Sequence, residues 1–264
     1  MIRVIQYSGG AGSFAAAQSC ITQHGRENVV LLFSDTRMED PDLYRFLSQT
    51  SAHLGVPVTT IADGRNPWQV FKDKRFLGNS RVDPCSRILK RELCKTWVEQ
   101  RYTPADCELW FGIDWMEAHR IKNVENWWNP YPCKFPLVED KTYDKNRFIA
   151  SLAALGIDMP RLYRLGFPHN NCGGFCVKAG KAHFLHLLKT LPDVYFQHEI
   201  QETVLRSYLG KDVTILREQV NNEKRYLTLK ELRERAEEIA NTEEGQLDWG
   251  GCGCFSDIPK EELK

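Results

Sequence analysis

The sequence predicts an α/β fold in which a mostly parallel, doubly wound sheet is covered by helices on both faces. Two observations predict it. Short apolar runs rich in β-branched residues alternate with segments of helical periodicity, and a chain that alternates in this way usually builds a parallel sheet. The first apolar run also ends in a glycine-rich turn, Ser8-Gly9-Gly10, which leads directly into a helical segment.

Four apolar runs have the length and composition of buried strands. They are IRVIQY (2–7), NVVLLFSD (28–35), PVTTIAD (57–63) and CELWFGI (107–113). Three helical segments lie between them, namely SFAAAQSCITQH (13–24), DPDLYRFLSQTSAHLG (40–55) and CSRILKRELCKTWVEQR (85–101). Gly25 follows the first of these, in a position where glycine commonly ends a helix.

The pattern changes after about residue 115. The segment ENWWNPYPCKFPLVED (125–140) is rich in proline and aromatic residues, which predicts a long loop over the sheet because proline interrupts a helix. Helical segments resume at 145–156, 178–191 and 228–240. We therefore expect a first domain, 1–165, followed by a cysteine-bearing C-terminal region, 166–264, that folds back over it.

The composition excludes some classes of partner. The 264 residues contain 35 Lys and Arg and 35 Asp and Glu, so the formal net charge is zero and no global field attracts nucleic acid. No apolar stretch approaches the roughly 20 residues that span a bilayer, and the N-terminus shows no signal-peptide pattern. We therefore expect a cytoplasmic protein without a membrane partner. A homodimer is compatible with the sequence.

The turn at residues 8–13 is suited to binding an anion. The backbone N–H groups of Gly9 and Gly10 are expected at the positive end of the following helix. The hydroxyls of Ser8 and Ser13 can donate to phosphate oxygens. Because the turn contains no lysine and matches neither G-x-x-x-x-G-K-[ST] nor G-x-G-x-x-G, it predicts neither a P-loop NTPase nor a dinucleotide site.

The nine cysteines are unevenly distributed. Cys172 and Cys176 form one close pair, and Cys252 and Cys254 form another. In a reducing compartment such pairs are typical of metal ligands or redox thiols. Two thiols do not complete a site, because tetrahedral zinc and cubane iron–sulfur clusters each take about four ligands.

The arrangement S-G-G-x-x-S after the first strand resembles the PP-loop of the ATP pyrophosphatase superfamily. Further segments in the same order resemble the phosphoadenosine phosphosulfate (PAPS) reductase branch of that superfamily. They are LLFSDTRMEDPDLYRF (31–46), DPCSRILKRELCKTW (83–97), FGIDWMEAHR (111–120), KFPLVE (134–139) and MPRLYRLGFPHNNCGGFC (159–176). Together with the loop, they cover roughly residues 4–176.

The resemblance implies an adenine nucleotide alpha hydrolase-like fold that binds ATP, PAPS or adenosine phosphosulfate (APS). The residues that it places at the nucleotide are Ser8, Gly9, Gly10, Ser13, Asp35, Thr36 and Glu117. It also implies that Arg120 acts at the catalytic site. The sequence departs from related sulfurtransferases and synthetases at Ala11 and Gly12, where these usually carry lysine and aspartate, and this argues against Mg-assisted attack on ATP.

The resemblance also places Cys85 beside the pair formed by Cys172 and Cys176. Our leading hypothesis is a four-sulfur metal site made by Cys85, Cys172, Cys176 and one tail cysteine, here Cys252. The metal would be a [4Fe-4S] cluster, with zinc or no metal as alternatives. Cys254 would then be the nucleophile, as in PAPS-type reductases, where a C-terminal cysteine attacks the sulfonyl sulfur. Lys178, Lys181 and Arg120 are cations that could favour its thiolate.

Three functions therefore remain open. The first is a PAPS reductase-like enzyme that uses a thiol reductant. The second is a PP-loop sulfurtransferase or adenylating enzyme that uses a sulfur donor and modifies a nucleic-acid base or another acceptor, although the net charge does not support nucleic acid. The third is a non-catalytic nucleotide-binding module with structural zinc. His169, three residues before Cys172, is a further metal candidate, and a structural role is favoured for it.

Basic residues also concentrate between the third strand and the next helix, and they are expected to face the anionic ligand. They are Lys74, Arg75, Arg81, Arg87, Lys90 and Arg91.

Overall fold

The computed structural model describes residues 1–170, 172–220 and 223–251. Its centre is a parallel sheet of five strands in the order β3-β2-β1-β4-β5. The strands are β1 (Ile2–Gln6), β2 (Val29–Ser34), β3 (Val58–Ile61), β4 (Cys107–Trp110) and β5 (Cys133–Lys134). A separate antiparallel hairpin follows, formed by β6 (Leu216–Val220) and β7 (Glu223–Leu227).

Helices connect and surround these strands. In the first half of the chain they are α1 (Ala11–His24), α2 (Pro41–Leu54), α3 (Pro67–Lys74), α4 (Pro84–Ser86), α5 (Leu93–Glu99), α6 (Ile121–Trp128) and α7 (Pro136–Glu139). In the second half they are α8 (Lys145–Ser151), α9 (Arg161–Arg164), α10 (Lys181–Thr190), α11 (Pro192–Leu209), α12 (Leu229–Glu234), α13 (Ala236–Ala240) and α14 (Glu243–Leu247). A π-helical turn, Arg87–Glu92, joins α4 to α5, and 3₁₀ turns lie at Trp115–Arg120, Leu152–Leu155 and Cys172–Gly174.

Both faces of the central sheet are buried. Successive side chains of a strand point to opposite faces, and here Ile5 and Leu31 pack with residues of α1 and α2. Val4 and Leu32 pack on the other face with residues of α5 and α6. The prediction of an α/β fold with helices on both sides of a parallel sheet is therefore confirmed.

The proline-rich segment 125–140 differs from the expected long loop. Its first residues continue α6 to Trp128, and Cys133 and Lys134 form β5, which pairs in parallel with Leu109 and Trp110 of β4. Proline lacks a backbone N–H, so Pro132 and Pro136 restrict this edge strand to the two residues between Pro132 and Phe135. The prediction of a loop was wrong because strand pairing at the sheet edge outweighed the local composition.

The C-terminal helices share a hydrophobic core with α3. Trp68 and Phe71 of α3 lie in one buried cluster with Phe175, Tyr195 and Leu232. The division of the chain near residue 165 thus crosses a continuous core, and it stays a prediction. Cys252 and Cys254 lie outside the described residues. Within the described part of the chain, no helix is long and apolar enough to cross a lipid bilayer.

The start of α1 lies directly against the turn that follows β4. A Cβ atom at Gly12 would stand 2.6 Å from the carbonyl oxygen of Gly112, and a Cβ atom at Gly112 would stand 2.3 Å from the carbonyl carbon of Gly12. Both distances are too short for any side chain, because real Cβ atoms essentially never approach backbone atoms that closely. Glycine at both positions therefore allows the N-terminus of α1 to reach the end of β4.

We expect the substitution Gly112→Ala to lower the free energy of unfolding by about 1–3 kcal/mol, because the added methyl group has only backbone to displace. Urea denaturation measures this change. Gly251→Ala is the matched control, since a Cβ atom there meets nothing within 4 Å. Equal stability of the two variants would contradict the close approach.

Candidate functional site

A pocket lies where the strand order reverses. The chain proceeds from β1 to β2 and β3 on one side, whereas β4 pairs with β1 on the other side. Ligands of open α/β sheets commonly bind in the crevice at such a point, beyond the carboxyl ends of the strands. We call this the switch-point pocket. Its walls are the loop after β1, the turn after β4 and parts of three later segments, including Gln6, Ser8, Gly10, Ser13, Asp114, Glu117, Arg120, Tyr143, Lys145, Tyr163, His169 and Asn170.

Two side chains donate hydrogen bonds to backbone carbonyl oxygens of the glycine-rich loop. The Ser13 hydroxyl donates to the Gly10 carbonyl oxygen at 2.9 Å, and the Asn170 amide donates to the Gly9 carbonyl oxygen at 2.9 Å. Gly9 adopts φ +75°, in the left-handed region that favours glycine. The first turn of α1 contains no acidic residue, and Gly10 provides no side-chain cap. The positive end of this helix dipole therefore faces the pocket without a carboxylate of its own.

Two cations line the same pocket. Arg120 forms an ion pair with Glu117, and both residues line the pocket. The ammonium group of Lys145 donates to the Pro168 carbonyl oxygen at 2.7 Å. Asp114 is engaged locally, since its carboxylate caps the turn that begins at Trp115. The arrangement can bind an anion between the start of α1 and these two side chains.

The surroundings of the pocket lower the pKa of His169. Burial, followed by the positive charges of Lys145 and Arg120 and then the neighbouring His183, lowers the pKa of His169 to about 3. The imidazole is therefore neutral near pH 7. His169 lines the switch-point pocket, at a different place from the cysteines that it was considered to join in binding a metal.

Three buried polar groups of the pocket have unused hydrogen-bonding capacity. Neither the oxygen nor the nitrogen of the Gln6 carboxamide has a protein partner within the described chain, and the same holds for Asn170 Oδ1 and the Tyr143 hydroxyl. A buried polar group without a partner costs about 1–3 kcal/mol. The sequence analysis missed all three groups, although a glutamine at the end of the apolar strand IRVIQY was a visible signal.

Asp35 and Thr36 lie at the end of β2, away from this pocket. The Asp35 carboxylate accepts hydrogen bonds from the Arg37 N–H at 2.8 Å and from the Tyr44 hydroxyl at 3.0 Å. The Thr36 hydroxyl donates to Glu39 Oε1 at 2.8 Å. Neither Asp35 nor Thr36 is among the described residues that line the switch-point pocket. Thr36 lines a second pocket instead.

The second pocket, which we call the cysteine pocket, brings together Cys85, Cys172 and Cys176. Cys85 lies in α4, and the other two flank a sharp turn in which Cys172, Gly173 and Gly174 have φ values of +54°, +60° and +83°. A Cβ atom at Gly173 would stand 2.9 Å from the Met38 carbonyl oxygen, so glycine allows the turn to approach the end of β2. The structure thus places Cys85 in the same pocket as the pair.

A buried ammonium group lies next to one of these thiols. Lys90 is 4% exposed, and its Nζ lies 3.5 Å from Cys172 Sγ and 3.9 Å from Glu39 Oε1. The Glu39 carboxylate also accepts a hydrogen bond from the Cys172 N–H. A nearby ammonium favours negative charge on sulfur. The sequence analysis named three other cations, of which Lys178 lines this pocket.

The other two cations and one residue of the basic cluster make contacts within the described chain. Lys181 forms an ion pair with Glu244, and Arg120 lies in the switch-point pocket. Arg91 is buried, 3.8 Å from Asp83 and against the ring of Trp127. The expectation that the basic cluster faces the anionic ligand was therefore wrong for Arg91, because its guanidinium is buried beside the Asp83 carboxylate.

The metal site expected at these cysteines is not formed by the described residues alone. Among them, no group of three or more Cys, His, Asp or Glu side chains is arranged to hold a metal ion, although three thiols line the cysteine pocket. The end of the described chain lies close by, since the Gly251 N–H donates to the carbonyl oxygen of Lys178 at 3.2 Å. The expected fourth ligand, Cys252, and the expected nucleophile, Cys254, lie outside the described residues.

No model of a known protein family matches the chain, and no curated protein matches it. The two pockets, their charges and the residues that join them are therefore the observations from which a function can be proposed. His169 and Asn170 line the switch-point pocket, and Cys172 lines the cysteine pocket.

We expect the imidazole of His169 to titrate near pH 3 in the folded protein, and at its ordinary value in the unfolded chain. Between these two values the unfolded state binds more protons, so the free energy of unfolding falls as the pH is lowered from 6.5 towards 3. NMR titration of the ring signals measures the folded pKa, and His169→Gln identifies those signals. Protonation of His169 near pH 6.5 would contradict the burial and the positive surroundings of this imidazole.

Proposed function

We propose that the chain binds an adenine nucleotide in the switch-point pocket and performs sulfur chemistry of the PAPS reductase type at thiols beside it. One observation carries this proposal. The start of α1, which has no acidic residue in its first turn, converges with Arg120 and Lys145 in the crevice between β1 and β4, and a residue segment that lines this crevice continues into the cysteine pocket. The adenine nucleotide alpha hydrolase-like fold is part of the same proposal.

The loop is suited to binding an anion mainly through its backbone. Position 12 has no room for a side chain, because the carbonyl group of Gly112 occupies the space that a Cβ atom would need. The charge on a bound phosphate or phosphosulfate is then met by the α1 dipole, Arg120 and Lys145. This arrangement favours the binding of an anionic group over the activation of ATP by a loop side chain.

The proximity of the two pockets favours chemistry at sulfur. Asn170 lines the switch-point pocket, and Cys172, two residues later, lines the cysteine pocket. Consecutive Cα atoms are about 3.8 Å apart, so these two residues are at most about 8 Å apart along the backbone. A thiolate held in this region is close to the anionic end of a nucleotide bound at the loop.

The proposed reaction begins with attack of the Cys254 thiolate on the sulfonyl sulfur of PAPS or APS. The new S–S bond forms as the S–O bond to the nucleotide phosphate breaks, and the electron pair of that bond leaves with the phosphate. Arg120 and Lys145 stabilise the phosphate charge. A thiol reductant then attacks the cysteine sulfur, which forms a disulfide and releases sulfite. A metal on Cys85, Cys172, Cys176 and Cys252 would hold the tail beside the nucleotide.

We expect the substitutions Arg120→Met and Lys145→Met each to weaken nucleotide binding by roughly 10- to 100-fold, because each removes a charge-assisted hydrogen bond to the anion. Isothermal titration calorimetry with ATP, PAPS and APS measures the affinities. The control is Lys230→Met, whose exposed ammonium pairs with Glu234 at 3.9 Å and lies away from the pocket. Unchanged affinity in both pocket variants would refute the proposed anion site.

We expect the double substitution Cys252→Ser and Cys254→Ser to abolish sulfite release from PAPS or APS in the presence of a thiol reductant, because the proposed nucleophile is lost. Nucleotide affinity should change little. Cys133→Ala, at a half-buried cysteine of β5, is the matched control. Sulfite release by the double variant at the wild-type rate would show that the tail thiols are not the nucleophile.

A further inference from the structure

The Gln6 carboxamide is a deeply buried polar group of the switch-point pocket, and it makes no hydrogen bond within the described residues. Gln6 is the last residue of β1, it is 3% exposed, and it lines the pocket. Neither its oxygen nor its nitrogen has a protein hydrogen-bond partner within the described residues. Its neighbours in the strand, Ile5 and Val4, are fully buried apolar residues. An apolar side chain at position 6 would therefore suit the folded chain better than glutamine does.

The unused atoms indicate what kind of ligand group belongs there. The Asn170 amide nitrogen already donates to Gly9, so that its Oδ1 remains as a buried acceptor. The Gln6 oxygen is a second acceptor. An ionised phosphate or sulfate has only acceptor oxygens and cannot donate to either of them. A ligand that brings an N–H or O–H donor into the same pocket would satisfy an acceptor that its anionic end cannot.

We propose that the oxygen of the Gln6 carboxamide accepts a hydrogen bond from the 6-amino group of the purine, so that Gln6 makes the pocket selective for adenine. This inference rests on the proposed nucleotide site. A carboxamide presents one acceptor and one donor side by side, and adenine presents an amino group beside a ring nitrogen acceptor. The Gln6 nitrogen then donates to that ring nitrogen, and both atoms gain a partner.

A buried glutamine of this kind should strengthen nucleotide binding and lower the stability of the ligand-free protein. Replacement of an unpartnered buried carboxamide by an apolar side chain of similar shape removes the desolvation cost of the polar group. Gln6→Met should therefore raise the melting temperature of the ligand-free protein while it weakens nucleotide binding. A glutamine that merely filled space or supported the fold would not produce these two opposite changes.

The experiment compares ATP with purine riboside 5′-triphosphate, in which hydrogen replaces the 6-amino group. For the wild-type protein we expect calorimetry to show roughly 10- to 100-fold tighter binding of ATP, since the analogue leaves a buried acceptor unmet. In Gln6→Met we expect this preference to fall to about one. Binding of inorganic tripolyphosphate should be equal in both proteins, because it contacts the anion-binding groups alone.

The controls separate the possible failures. Gln23→Met, at an exposed glutamine of α1, should keep the wild-type preference. If the wild-type protein binds neither ATP nor tripolyphosphate, both the proposed nucleotide site and this inference are refuted. If it binds ATP and Gln6→Met keeps the preference over the analogue, only the inference about Gln6 is refuted. Loss in Gln6→Met of discrimination against 2′-deoxy-ATP instead would assign the carboxamide to the ribose, and would also refute it.

Discussion

The candidate site depends on the close approach of two backbone segments, at Gly12 in the first turn of α1 and at Gly112 after β4. This contact brings the positive end of a 14-residue helix to the point where the strand order reverses. Arg120 and the other pocket residues that follow β4 are thereby placed opposite the glycine-rich loop. Without two glycines, the helix and the strand end would have to separate, and the groups that line the switch-point pocket would lie apart.

The approach also explains the composition of the loop. A loop that carries a lysine or an aspartate at position 12 needs space for a side chain, and here the backbone of Gly112 fills that space. In the proposed function the loop contributes the helix dipole and backbone N–H groups, whereas positive charge comes from Arg120 and Lys145, which are remote in the sequence. The proposal therefore assigns anion binding and the chemistry of the bound group to different parts of the chain.

A second constraint links the two pockets. The segment from His169 to Cys176 is held at several points: Asn170 donates to the loop at Gly9, the Cys172 N–H donates to Glu39, and His183 Nε2 lies 2.7 Å from the Gly174 carbonyl oxygen. The His183 contact also shows that this histidine supports the turn. Buried polar groups usually have hydrogen-bond partners, whereas the Gln6 carboxamide has none among the described residues, and this is the observation from which we propose its contact with a ligand.

The sequence by itself determined the parallel α/β fold, because hydrophobic periodicity is a local property, and its glycine-rich turn predicted an anion-binding loop. It also implied, through the resemblance, that Cys85 lies beside Cys172 and Cys176. Only the tertiary structure decided that 133–134 form a strand, that Thr36 faces the cysteines, that Lys90 lies beside Cys172, and that Gln6 is unpaired. Each of these outcomes depends on partners from distant parts of the chain, whose burial and geometry exist only once the helices have packed on the sheet.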